Sequence, residues 1–196
     1  MIPAFDVRIA GFPVRIEATF FLLAAILGQG RPGNLVLAWI AVVFVSILAH
    51  ELGHAFSLRA FGDAPRITLH AFGGLTHPTK SLSLGKDVVA TAAGSIVGLL
   101  LLGLPAYAIR ASIGLPTIDT ITLWVVLSDL VWVKVGWSLL NLLPVLPLDG
   151  GLIASRLLTH VFGPRGARGA LLLSIVPRGG GASELQERLR ATTPEA

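Results

Sequence analysis

The stretch Ala49-His50-Glu51-Leu52-Gly53-His54 decides how this chain is read, because it puts two imidazoles and a carboxylate into a segment that is otherwise almost wholly apolar. On a helix, His50 and His54 lie one turn apart on one face. Two ring nitrogens at that spacing can bind one metal ion and leave Glu51 beside the open coordination position, where it could take a proton from a bound water. That is the arrangement of a zinc hydrolase. His and Glu at such spacings also arise by chance on solvated helix faces. Here the run from Leu35 to Ala49 holds no charge, with Ser46 as its only hydroxyl, so a solvated face does not account for them. Ionisable groups in such a setting are expensive unless paired or ligated, and they mark function.

The composition around this motif is that of a membrane protein. The chain has 196 residues, of which 54% are hydrophobic and 13% charged, with a mean hydropathy of +0.79. Apolar runs approach the roughly 20 residues of a bilayer-spanning helix, and turn residues and charges separate them. The formal charge of +4 and pI near 10.3 do not indicate nucleic acid, since the basic residues stand singly between apolar segments instead of forming a basic face. Cysteine is absent, which excludes disulfides, thiolate ligands and a cysteine nucleophile. The N-terminus lacks the charged n-region and apolar core of a cleavable signal.

Residues 5–16 alternate apolar and polar around Gly11-Phe12-Pro13, which predicts a short hairpin at the membrane surface. A first apolar helix follows from Ala18 to Gly28, with Glu17 at its mouth. After the turn at 29–34 comes the second span, about Leu35 to Leu58, which carries the motif. At about 1.5 Å per residue His50 lies about 22 Å into a hydrocarbon core of about 30 Å, inside the membrane and nearer the far face.

Residues 59–86 change character. Arg66 to Phe72 alternates like a strand, Gly73-Gly74 breaks it, and Leu75-Thr76-His77-Pro78 follows, so a small hairpin or re-entrant sheet is expected beside the metal site. Such backbone at membrane depth must be buried in protein or line water. His70 and His77 read as polar loop histidines and not as ligands. The third span, about Val88 to Ile109, bears a small-residue stripe with Gly94 and Gly98 one turn apart, which suits close helix packing. The fourth, about Ile121 to Leu143, carries Asp129 and Lys134; Lys134 shares a face with Asn141.

Basic residues fix an orientation. Arg8, Arg15, Arg59, Arg66, Lys80, Lys86, Arg156, Arg165 and Arg168 fall on one side and only Arg31 and Arg110 on the other, which places the N-terminus and the first side in the cytosol. The motif and the end of span four then meet in the cytosolic half. There Asn141-Leu142-Leu143-Pro144-Val145-Leu146-Pro147-Leu148-Asp149-Gly150-Gly151 breaks the helix with two prolines and a glycine pair. A catalytic zinc needs a third protein ligand, and Asp149 on this irregular segment fits.

At these residues the sequence resembles the site-2 protease family of intramembrane zinc metalloproteases: the His50-Glu51-Leu52-Gly53-His54 motif on one helix, with Asn141-Leu142-Leu143-Pro144 and Leu148-Asp149-Gly150-Gly151 at the end of a later one. The resemblance covers most of residues 7 to 160, including Gly11 to Ile16 and the Phe72-Gly73-Gly74 region. It implies one zinc ion on His50, His54 and Asp149, Glu51 as general base, and Asn141 near the substrate, with Phe72, Gly73 and Gly74 in the substrate-binding strand region. It further implies cleavage within or beside transmembrane segments of other proteins, often to release a regulatory factor. Two departures stand out: Gly94-Ser95-Ile96-Val97-Gly98 replaces the family's Gly-Pro-x-x-Asn, and Lys134 stands where Asn is frequent.

The fold expected is therefore mainly α and polytopic, with about four to six transmembrane or re-entrant helices and a small membrane-associated β-hairpin or sheet. Residues 1–178 would form the intramembrane metalloprotease core and 179–196 a flexible linker and short polar tail, with no appended sensory domain. Ala170 to Val176 is too short to span, 177–181 reads as a linker, and Ser183 to Arg190 as a short capped helix. The expected setting is the lipid bilayer of a prokaryotic cell membrane, with membrane-spanning proteins as partners and no nucleic acid. The rival function is a metal-binding membrane protein without hydrolysis, either an inactive relative or a transporter. A transporter would show repeats or paired broken helices, which the sequence lacks, and an inactive relative would be expected to have lost Glu51.

Overall fold

A computed structural model of the chain describes residues 3–163. The expectations for Ala170–Val176, for 177–181, for Ser183–Arg190 and for the basic residues Arg165 and Arg168 lie outside the described residues. The chain opens with strands β1 (Ala4–Ile9) and β2 (Phe12–Glu17), then helices α1 (Ala18–Leu27) and α2 (Gly33–Ala60). Strands β3 (Arg66–His70) and β4 (Gly73–His77) follow, and then α3 (Leu84–Gly98), a π-helical turn (Leu99–Gly103) and α4 (Leu104–Ile113). Helices α5 (Ile121–Asn141) and α6 (Asp149–Phe162) are the last elements among the described residues.

Among the described residues, three helical stretches are long and apolar enough to cross a membrane: Gly33–Ala60, the combined Leu84–Ile113 and Ile121–Asn141. The charge-free run fixes α2, which ends only where Arg59 and the Gly62 turn begin. Helix α1 is apolar but does not lengthen into Ile16, which belongs to β2, so its 10 residues span only about 15 Å. Pro105 accounts for the π turn. It has no N–H and its ring displaces the carbonyl four residues back, so the preceding turn widens while the helix continues.

The four strands form one sheet in the order β1-β2-β3-β4, with β2 and β3 parallel and the outer pairs antiparallel. Its inner face presents Phe12, Val14, Ile16, Ile67 and Leu69, all buried against Val43, Ile47 and Ala55 of α2. The first turn is not at Gly11-Phe12-Pro13 as the alternation suggested. Ile9 pairs with Phe12, and Ala10 (φ 51°) and Gly11 (φ 81°) make the two-residue reversal whose positive dihedrals match strand twist. Arg59 at the end of α2 closes over this turn, 3.4 Å from the Phe12 ring centroid and donating to the Ala10 carbonyl at 3.3 Å.

Gly73-Gly74 likewise does not break the strand region but opens β4, Gly73 pairing with His70 and Gly74 with Leu69. The reversal falls on Ala71-Phe72. Beyond α2, buried Asp63 joins the two sheet loops: it accepts from the Ala64 amide at 2.7 Å and from the Thr79 amide and hydroxyl. Burial alone would raise the Asp63 pKa, and these hydrogen bonds, the Thr79 side chain foremost, outweigh it and hold the carboxyl below its ordinary value.

Helix α2 is the axis of the fold and packs on α3, α5, α1 and β4. Gly53 allows a close approach to α3, since a Cβ there would stand 2.7 Å from the Ala93 carbonyl oxygen. Asp129 in α5 is not loose: Arg31, in the turn before α2, donates to both its carboxylate oxygens at 2.6 and 2.9 Å while lying 4.4 Å from the Trp39 ring centroid.

Candidate metal centre

The α-helical repeat of α2 puts His50 and His54 edge to face, with ring centroids 4.7 Å apart and Nε2 atoms 3.1 Å apart. Asp149 closes the triangle. Its Oδ2 lies 3.2 Å from His50 Nε2 and 3.4 Å from His54 Nε2. Donors on a tetrahedral zinc at about 2.0–2.1 Å stand about 3.3–3.4 Å from one another, so these three atoms have the mutual spacing that one ion requires. Asp149 Oδ2 is buried and makes no hydrogen bond among the described residues, although two ring nitrogens face it. An orphaned carboxylate oxygen between two imidazole nitrogens fits a cation. The ligand-type atoms of His50, Glu51 and His54 also gather within 4.8 Å of one another.

The rings are oriented by groups outside the motif. His54 Nδ1 lies 2.8 Å from the Ala90 carbonyl, so it carries the proton and leaves Nε2 bare on the side facing Asp149. The His54 ring rests on Gly94 of α3, where a Cβ would fall 2.5 Å from its Cε1 atom. The small-residue stripe therefore does more than bring helices together, because it leaves the space one imidazole occupies. Gly98 does the same for Lys134, whose Nζ would lie 2.5 Å from a Cβ there.

Asp149 stands where sequence placed it in space but not in secondary structure. It is the first residue of α6 instead of part of an irregular loop, and Gly150 and Gly151 lie in the first helical turn. Any side chain at those two positions would strike the carbonyls of Leu142, Leu143 and Val145. The glycines let the helix start directly against the segment that follows α5. A carboxylate at a helix N-terminus is also favoured by the helix dipole.

Glu51 is buried and points to β4. The Thr76 hydroxyl donates to Glu51 Oε2 at 2.7 Å, and Gly74 is bare of Cβ where the Glu51 side chain passes. Thr76 was not singled out by sequence, and its only signal there is its place in an alternating strand. Lys134 is fully buried, as its shared face with Asn141 predicts, and donates to the Ser46 carbonyl at 2.6 Å. That carbonyl lies one turn before His50.

A cleft of about 400 Å³ runs from these residues along β4 and is lined by His50, Glu51, His54 and Asp149 together with Phe72, Gly74, Thr76, Trp137 and Asn141. Three of the four expected substrate-binding positions thus border it, and the fourth, Gly73, backs onto Trp137. His70 also lines the cleft, with Nδ1 accepting from the Phe72 amide, while His77 lies against the Thr68 hydroxyl; neither joins the ligand group.

No family model matches the sequence. The chain is 31% identical over 188 residues to a protein of Synechocystis sp. to which zinc metalloprotease activity is ascribed, covering 87% of this chain and 48% of the relative. It is 27% identical over 164 residues to a zinc metalloprotease of Methanocaldococcus jannaschii, covering 80% and 45%. The chain spans about half the length of both. Among solved structures it is similar to the site-2 protease from Methanocaldococcus jannaschii, with a TM-score of 0.63 at 23% identity over 86% of this chain and 78% of the other.

Proposed function

We propose that this chain is a member of the site-2 protease family and a zinc-dependent endopeptidase hydrolysing peptide bonds within or beside transmembrane segments of other proteins. The observation that carries the reading is the triangle of His50 Nε2, His54 Nε2 and Asp149 Oδ2 at 3.1, 3.2 and 3.4 Å. These three atoms would hold one zinc ion. When bound, zinc polarises a carbonyl and lowers the pKa of a coordinated water. Its relatives' names support zinc over other divalent metals.

Glu51 is the general base, taking a proton beside the metal and passing it to the leaving nitrogen. The Thr76 hydroxyl on Oε2 fixes the rotamer and leaves the other oxygen free to work. Strand β4 is an edge strand whose residues 74–76 border the cleft. A substrate helix hides its amides, so it must unwind locally, and pairing along β4 stabilises the extended form. Asn141, buried at the opposite wall, offers an amide to the substrate backbone.

The distribution of basic residues supports a cleft in the cytosolic half of the membrane with the N-terminus in the cytosol, and the relatives' organisms support a prokaryotic cell membrane. The test is cleavage of a single-span substrate by the purified chain in detergent, with fragment masses read for the native protein and Glu51→Gln. Cutting inside the span by the native chain alone is expected. Equal cutting by both refutes Glu51 as the base, and no cutting by a zinc-loaded native chain across a set of spans refutes the peptidase in favour of a metal-binding protein.

A further inference from the structure

Helix α3 contributes no ligand, yet two of the three ligands depend on it. It supplies the Ala90 carbonyl and the Gly94 seat for His54. One turn of the same helix also carries Asp87 and Thr91, and both are engaged by Arg156 of α6: Nε lies 2.8 Å from Asp87 Oδ2 and Nη1 donates to Thr91 Oγ1 at 2.5 Å. All three side chains are at least half-buried in the wall of the cleft. Arg156 follows Asp149 by two turns and lies on the same face of α6, the face that packs on α3.

A guanidinium is a planar fork with donors at fixed angles. Bound to two acceptors one turn apart, it fixes the rotation of α6 about its axis as well as its distance from α3. Rotation is what the metal centre is sensitive to. A carboxylate oxygen about 6 Å from a helix axis moves about 1 Å for each 10° of turn, whereas metal–ligand distances hold within about 0.2 Å. The glycine pair Gly150-Gly151 seats the start of α6 but offers no side chain to resist that rotation.

We propose that the Arg156–Asp87–Thr91 clamp is the positioning device of the metal centre, holding α6 in the rotation that brings the Asp149 carboxylate onto the two histidines. This rests on the reading of Asp149 as a ligand. Arg156 itself touches neither histidine and acts through the helix.

The experiment is zinc affinity of the full chain in detergent, measured without peptide by competition with a chelator, for the native protein, Asp149→Asn, Arg156→Gln, Thr91→Val and the exchange Asp87→Arg with Arg156→Asp. Arg156→Gln should weaken zinc about 10–100-fold, the size usual for groups that orient ligands, Thr91→Val should weaken it less, and the exchange should regain at least about tenfold over Arg156→Gln. Native affinity in Arg156→Gln, or a folded exchange variant no tighter than Arg156→Gln, overturns the proposal. If Arg156→Gln does not purify folded, native affinity in Thr91→Val overturns it. If Asp149→Asn binds zinc as tightly as the native chain, the ligand assignment fails, and the clamp proposal that rests on it falls with it.

Discussion

Replacing Gly94 by Ala tests whether the metal centre depends on an absent side chain. A Cβ at this position would stand 2.5 Å from His54 Cε1 and 2.8 Å from Cδ2. Carbon contacts settle at about 3.5–4.0 Å, so the ring must retreat by about 1 Å. It has little freedom to do so, because Nδ1 is tied to the Ala90 carbonyl at 2.8 Å and the neighbouring helix backbones meet at Gly53. A retreat of that size takes Nε2 well outside the roughly 0.2 Å tolerance of a metal–nitrogen bond. The expected result is a loss of zinc affinity of about 100-fold or more, equivalent to about 2.8 kcal/mol.

Alanine is favoured over glycine inside a helix by roughly 0.5–1 kcal/mol, so the substitution does not act by breaking α3. Gly85→Ala, earlier in the same helix with open space at its Cβ, serves as the control and should bind zinc like the native chain. The assay is chelator competition in detergent, with the melting temperature of each metal-free form as a check on folding. Native zinc affinity in Gly94→Ala would refute the inference that this glycine is the seat of the ring.

Gly74→Ala places its Cβ in the path of the Glu51 side chain; zinc should be retained while kcat falls at least about tenfold, the lower end of what a general base contributes, as read by peptide cleavage beside a metal assay. Asp63 has a depressed folded pKa, so its contribution to stability is complete above the unfolded value of 3.8 and is lost as pH falls through the lower folded value. Melting temperature followed downward from neutral pH should therefore drop in that acid range for the native chain, and Asp63→Asn should be less stable at neutral pH and flatter in the acid. Arg31→Gln strands the Asp129 carboxylate within α5, and should cost on the order of 3 kcal/mol. Adding Asp129→Asn should recover most of this in a denaturation assay, with zinc affinity unchanged throughout.

The parts of the fold that sequence makes legible are those written in side chains of one kind over a long run. The span expected from about Leu35 to Leu58, built on the charge-free run that begins it, lies within two residues of α2 at either end, because such a run suits a buried or membrane helix. The proposed ligand residues are equally open to reading, since two imidazoles and a carboxylate among apolar residues must be compensated. Glycine is where legibility fails. The same residue breaks a strand, opens one or seats a ring, and Gly73-Gly74 shows how the commonest of these expectations misplaces a strand that is in fact paired from its first residue.

Lys134 makes the physical reason plain. A lysine in an apolar helix announces a partner, and one looks first for a carboxylate such as Asp129. The structure gives that carboxylate to Arg31 and gives Lys134 the backbone carbonyl of Ser46, an acceptor that every residue carries and no side-chain pattern advertises. The room it occupies is provided by Gly98 on another helix, a position defined by what is missing. His54 depends on the same two kinds of partner, a carbonyl at Ala90 and a void at Gly94. Which atoms are proposed to bind the metal is therefore encoded in side chains, but where those atoms stand is encoded in carbonyls and absent Cβ groups, which acquire meaning only once α2, α3 and α5 are packed.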